Sequence, residues 1–261
     1  MKIFTTSQIK DLDAKTIKLE GITSSDLMDR AALALFKRIA EEIKPTETIL
    51  VIAGPGNNGG DALAIARLLI KAGYQVQTIV CNLKTLSNDA SIQFDRLQEV
   101  PAAQTTCLKQ AENLSLFEGY DYIIDGLFGS GLNRPLEGFY AEIVKWMNLQ
   151  DAVKISIDLP SGLFGEDNRR NIHENMVCAD LVLGLQFPRL SFLLAENERL
   201  TAQLTASQRR EKAAVDDILI ASDKGRCAIC KHMQNVDICQ KWPNRSCFEW
   251  RGSQVGEEIN E

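Results

Sequence analysis

The chain has 261 residues, 45% of them hydrophobic and 25% charged, with a formal net charge of −6 at pH 7. Such a length buries a full core, as one large α/β domain or as one domain with an appendage. The acidic balance excludes a general nucleic-acid-binding surface, which needs a basic excess. No apolar run reaches the roughly 18 residues of a membrane span, and the N-terminus lacks the apolar stretch of a secretory leader. A cytoplasmic protein that avoids both membrane and nucleic acid is expected, its seven cysteines reduced thiols.

Residues 6–16 read as a helix that Ser7 can cap, with Ile9, Leu12 and Ile17 near one face. A second helix begins near Ser24, Ser25 and Asp26, carries Leu27, Ala31, Leu35 and Ile39 at helical spacing, and stops before Pro45. These two helices precede any strand, so they must pack outside a sheet or on a second subunit. Residues 48–53 form a buried aliphatic strand. A glycine-dense turn follows from Gly54 to Gly60, then a largely apolar helix opening at Asp61 and closed by Gly73.

Residues 75–82 form the next strand and 87–99 a helix ended by Pro101, with a short helix expected over 109–117. Residues 121–125 are an apolar strand ending in Asp125. After a second glycine-rich loop, 136–147 is helical, with Phe139, Ile143 and Trp146 or Met147 on one face. Residues 153–158 are a strand ending in Asp158, and 180–186 are another. Strands alternating with helices predict a Rossmann-like three-layer α/β/α sandwich, with a mostly parallel doubly wound sheet and extra N-terminal helices. Ligands bind such sheets beyond the carboxyl ends of the strands.

The polar residues gather at those ends. Gly54, Gly56 and Gly59 have the spacing of a dinucleotide loop between strand and helix. Backbone N–H groups and the positive end of the helix dipole make such a loop an anion socket. The carboxylate that an ordinary NAD site carries after the next strand is missing, which disfavours a standard dehydrogenase. Ser130 and Arg134, in the loop that includes Gly129 and Gly131, offer a second place for phosphate or ribose oxygens. One carboxylate at one strand end is usually a cap; three clusters on one edge (Asn57, Asn58 and Asp61; Asp125; Asp158 and Ser161) argue for a site.

Asn58, Asp125 and Ser161 offer an amide oxygen, a carboxylate and a hydroxyl. These hard donors suit Mg²⁺, Ca²⁺ or an alkali cation rather than zinc, and a single carboxylate favours a monovalent ion. Asp158 ends a hydrophobic strand, where desolvation would suit it to proton transfer. His173 and His232 are the only histidines and neither has a nucleophile beside it, so a hydrolytic triad is not expected.

Five segments together resemble the YjeF N-terminal family, the NAD(P)HX epimerases, over roughly residues 1–198. They begin at Thr6-Ser7-Gln8, Leu27-Met28-Asp29, Ala53-Gly54-Pro55, Ile124-Asp125-Gly126 and Ser156-Ile157-Asp158. The resemblance implies interconversion of the R and S forms of C6-hydrated nicotinamide in NADHX or NADPHX. It implies that Asn57, Asn58, Gly59, Gly60 and Asp61 bind the damaged nucleotide. The second loop, Gly129, Ser130, Gly131, Leu132, Asn133, Arg134 and Pro135, would join them, with Asp158. It further implies potassium held by Asn58, Asp125 and Ser161, a homodimer, and coupling to an ADP- or ATP-dependent dehydratase. Asp158 is the first candidate for proton transfer and Asp125 the second.

Residues 199–261 depart from that pattern. They hold Cys227, Cys230, Cys239 and Cys247 with weak periodicity, and are expected to be a truncated or frame-shifted remnant of a C-terminal dehydratase domain. A zinc appendage built on Cys227, Cys230 and His232, with Cys239 or Cys247, is the other reading. A non-catalytic nucleotide- or protein-binding module on the same fold is the alternative function; retention of Asn58, Asp125, Asp158 and Ser161 argues against it.

Overall fold

The computed structural model describes residues 3–111 and 114–193. The tail, with its proposed zinc ligands, lies outside the described residues. The element order is α1 (Thr6–Glu20), α2 (Ser24–Glu42), β1 (Thr48–Ala53), α3 (Asn57–Lys71), β2 (Gln75–Cys81), α4 (Asn88–Gln98), β3 (Gln104–Leu108), β4 (Tyr122–Gly126), α5 (Gly138–Leu149), β5 (Val153–Ile157) and β6 (Leu181–Leu183). The strands form one parallel sheet in the order β3-β2-β1-β4-β5-β6. That order reverses between β1 and β4, and the crevice beyond their carboxyl ends is where a doubly wound sheet takes ligands.

Alternation along β1 divides the core into its two layers. Ile49, Val51 and Ala53 face a cluster with Leu35 and Ile39 of α2, Leu63 and Leu69 of α3, and Leu97 of α4. Leu50 and Ile52 face the other cluster, with Ile143, Val144 and Met147 of α5. A strand covered on both faces needs apolar residues at every position, which is why residues 49–53 show no polar alternation.

The starts of α1, α2 and α4 rest on side-chain caps. Thr23 and Asp26 form a reciprocal capping box at α2, and Ser87 caps α4. At α1 the cap is Thr5 rather than Ser7: its hydroxyl accepts from Gln8 N, and Gln8 Oε1 accepts from Thr5 N at 2.9 Å. The Thr-x-x-Gln box satisfies two end amides at once, which a cap at Ser7 does not.

Three further expectations shift. Helix α3 opens at Asn57, with Gly56 as its cap and no side-chain capping bond, so half of the glycine turn is already helical. Strand β3 had no counterpart in the sequence reading. It is a short edge strand, Gln-Thr-Thr-Cys-Leu, of which only Leu108 is buried, so hydrophobic pattern carries little of its signal. The helix expected over 109–117 is confined to a 3₁₀ turn at Leu114–Phe117.

Candidate functional site

The glycine turn works by backbone contact. A β-carbon on Gly59 would overlap the Gly54 carbonyl, and one on Gly54 would overlap the Leu127 carbonyl. The two loops therefore pack backbone to backbone, tied by Gly54 N donating to Gly126 O at 3.0 Å. This brings the uncapped first turn of α3 beside the loop after β4. Asn57 Oδ1 accepts from Ser87 Oγ at 2.8 Å, which anchors the turn to the start of α4.

A cleft of about 1600 Å³ opens there. Gly56, Asn57, Asn58 and Asp61 line it from α3, Leu127 to Leu132 from the second loop, Asp158 from the end of β5, and residues of α1 and α2 from the opposite wall. Gly59 and Gly60 are buried behind this lining, and Gly60 packs on the Met28 side chain. Asn133, Arg134 and Pro135 are not part of it, and Asn133 and Arg134 are exposed. Arg134, expected to contact phosphate, is thus an exposed side chain outside the lining.

Asp158 has the left-handed φ of 64°, rare outside glycine. Its Oδ2 accepts from Ser130 N at 2.8 Å, and its Oδ1 accepts from Arg189 Nε at 3.0 Å and Nη2 at 2.5 Å. The pair is buried, with Asp158 7% and Arg189 4% exposed. The desolvation expected of Asp158 is thus met by hydrogen bonds from a guanidinium and an amide. The Ser130 amide is committed to this carboxylate. Gly129 has no alternative: a β-carbon there would stand 2.7 Å from Asp158 Oδ2 and 3.0 Å from Asn58 Oδ1.

Asp61 lies in the opposite environment. Among the described residues it accepts no side-chain hydrogen bond. Burial, followed by the negative charges of Asp158, Asp13 and Asp89, pushes its carboxyl well above the ordinary carboxylate range. Asp13, reaching in from α1, is also raised, chiefly by burial, and accepts from Gln186 Nε2.

Asp125 is fully buried and outside the cleft lining. It accepts from Ser161 Oγ at 2.5 Å, Ser156 Oγ at 2.7 Å, Ser161 N at 2.9 Å and Leu127 N at 3.2 Å. Burial raises its pKa, and these donors oppose the rise. A carboxylate so enclosed is a poor proton carrier for a ligand in the cleft, so the geometry favours Asp61 over Asp125 as partner to Asp158. Ser161 Oγ also accepts from Phe128 N at 2.8 Å. Both polar atoms of the Asn58 amide are buried without a hydrogen-bond partner. An unpartnered amide oxygen, a carboxylate and a hydroxyl are donors of the kind that suit a hard cation of low charge. Among the described residues no three His, Cys, Asp or Glu side chains converge to hold a metal.

The sequence reading passed over Arg189, Asp13 and Gln186 as site residues. Arg189 had one signal, a lone charge in the apolar run after the last strand. Asp13 lies in the first of the five resembling segments, but periodicity does not mark it, because helix α1 reaches the cleft only through tertiary structure.

Fold and site together define a Rossmann-like α/β protein with a carboxyl-lined cleft at its switch point. Residues 24–191 match the family described as YjeF-related protein N-terminus, and the chain belongs to that family. It is 38% identical over 159 residues to the NAD(P)H-hydrate epimerase of Limosilactobacillus fermentum, covering 61% of this chain and 74% of that one. It is 31% identical over 210 residues to the bifunctional NAD(P)H-hydrate repair enzyme Nnr of Thermofilum pendens, covering 78% of this chain and 39% of that one. Its fold is similar to the crystal structure of yeast ynu0 (YNL200c), with a TM-score of 0.65 and 19% identity over 78% of this chain and 93% of the other.

Proposed function

We propose that this chain epimerises hydrated NADH and NADPH at C6 of the nicotinamide ring. The observation that carries the reading is the pairing of two carboxyl groups in one cleft, Asp158 clamped by donors and Asp61 buried without them. A buried carboxyl without donors, set beside one held by a guanidinium and an amide, is an arrangement suited to acid–base chemistry. The L. fermentum and T. pendens relatives, by their names, act on the hydrates.

The C6 carbon carries both a hydroxyl and the ring nitrogen, so its configuration is lost when the C–O bond breaks. Neutral Asp61 donates its proton to the departing hydroxyl, and the N1 lone pair closes the C6–N1 double bond as water leaves. The Asp158 carboxylate stabilises the cation so formed. Water then adds to the opposite ring face, and its proton returns to the carboxyl pair. Nothing is consumed, and the cleft residues do no more than hold the ring and move one proton.

The uncapped first turn of α3 and the loop from Gly129 to Leu132 form a socket for the pyrophosphate. Asn58, Asp125 and Ser161 are the residues that would hold potassium, and their all-oxygen donor set supports that reading. The bound ion would supply positive charge to the anion-binding loops. In this reading the protein works in the cytoplasm as a homodimer, and a dehydratase specific for one epimer consumes its product. No helix among the described residues is long and apolar enough to cross a membrane.

Heavy-oxygen water tests the mechanism. With C–O cleavage, both epimers gain label as fast as they interconvert. Interconversion that leaves the hydroxyl unlabelled would sink this route.

A further inference from the structure

Arg189 has no part in the proton transfer proposed above, yet it is the only side chain that hydrogen-bonds Asp158 among the described residues. Its place in the fold is tightly held. Leu183 O, at the end of β6, accepts from Asp158 N at 2.8 Å, so the two chain segments run together at this point. Beyond Arg189, Ser191 N donates to Gly165 O at 3.0 Å and Phe192 N to Arg189 O at 3.1 Å. The chain before it is pinned as well: the Phe187 ring packs on Phe4 with centroids 4.5 Å apart, and Gln186 binds Asp13.

Two of the non-glycine residues with left-handed backbone belong to this arrangement, Asp158 of the pair at φ 64° and Gln186, three residues before Arg189, at φ 62°. Such conformations cost of order 1–3 kcal/mol each and persist where the surroundings fix them. The surroundings here are fixed by the guanidinium, whose two donors both reach one carboxylate oxygen, while Ser130 N takes the other. With both oxygens held from the protein side, the carboxylate plane has one orientation relative to the cleft.

We propose that Arg189 is a positioning residue for epimerisation: it fixes the plane of the Asp158 carboxylate in the cleft. The proposal rests on the epimerase reading. Arg189 acts through Asp158 and not on the nucleotide. Lysine can supply the charge at this place but not the two-donor geometry.

The test compares the full-length wild type with Arg189→Ala, Arg189→Lys and the double variant Arg189→Ala/Asp158→Asn. The readouts are kcat and KM for epimerisation, with and without low millimolar guanidinium chloride. Arg189→Ala is expected to lower kcat about 10²–10³-fold, the scale of losing one preorganised electrostatic contact, with KM changing far less. Arg189→Lys recovers part of the loss. Guanidinium recovers part of it in Arg189→Ala, but urea does not, and neither restores the double variant. Guanidinium also raises the melting temperature of Arg189→Ala and not that of the double variant.

A folded Arg189→Ala with wild-type kcat overturns the proposal. So does a loss confined to KM, or one that neither lysine nor guanidinium relieves, since a merely structural role predicts that pattern. If Arg189→Ala does not fold, Arg189→Lys carries the test through its split of kcat against KM. A wild type that gives no epimerisation overturns the function itself, and is distinct from an active wild type whose Arg189 variants are unaffected.

Discussion

Asp61 and Asp158 face one cleft from different elements and in different surroundings. Asp158, at the end of β5, is bound by Arg189 and Ser130; Asp61, in the first helical turns of α3, is buried and raised in part by Asp158's own charge. The proton affinity of Asp61 therefore depends on Asp158. Removing the Asp158 charge lowers the proton affinity of Asp61, and with it the fraction of protein poised for catalysis at high pH.

Replacing Asp61 separates activity from stability. Because its folded-state pKa is raised, the carboxyl is accommodated as the neutral acid below the ordinary value. It costs stability as pH climbs through the raised value and the buried group ionises. Asp61→Asn is thus expected to melt higher than wild type at neutral and alkaline pH, with no gain at pH 4, while kcat drops about 10²–10⁴-fold. Thermal melts across pH and an epimerisation assay check both halves. A variant less stable than wild type at alkaline pH would contradict the neutral-acid assignment.

Activity of the wild type should fall on the alkaline side as Asp61 loses its proton, and that limb should be absent from the residual rate of Asp61→Asn. A kcat profile over pH in the two proteins measures it. An identical alkaline limb in both would assign that titration to another group.

Gly129 has no room for a side chain. A β-carbon 2.7 Å from Asp158 Oδ2 and 3.0 Å from Asn58 Oδ1 must push on the carboxylate that Ser130 and Arg189 hold. Gly129→Ala is expected to cost about 1–3 kcal/mol, as overpacking does, and to reduce kcat more than it reduces stability. Gly131, with open space around it, is the control: Gly131→Ala leaves the fold's stability close to wild type. Denaturant melts and turnover of both variants decide it.

Ser161→Ala removes a donor to Asp125 Oδ1 and the acceptor for Phe128 N. Leaving buried groups unsatisfied costs about 1–3 kcal/mol. If Ser161 also serves the cation, the potassium concentration giving half-maximal activity rises. Potassium titrations, with sodium for comparison, test this; an unchanged half-point would remove Ser161 from the ion site.

Much of this fold is legible in sequence, because α/β alternation is written in hydrophobic period and glycine punctuation. Strand β1 reads directly, since a strand buried on both faces must be apolar throughout. Strand β3 does not, because at the sheet edge its stability comes from pairing with β2 and little from burial. The candidate site divides in the same way. Asn58, Asp61, Asp125, Asp158 and Ser161 sit at or near strand ends, where topology makes them neighbours. Arg189 and Asp13 reach the cleft from a loop and a helix that strand order does not locate, so no spacing predicts them. Asp125 looked catalytic for the same reason that Asp158 did, as a carboxylate closing an apolar strand. Only the hydroxyls and amides enclosing it distinguish the two.

The decisive measurement is a coupled assay on mixed NADHX epimers. A dehydratase specific for one epimer, supplied with its nucleotide, runs until NADH absorbance stops rising, and this protein is then added with potassium. Absorbance is expected to resume at a rate set by the added protein and well above the unaided rate, and to fail to do so with Asp158→Asn. A folded wild-type chain that leaves the unaided rate unchanged would contradict epimerisation.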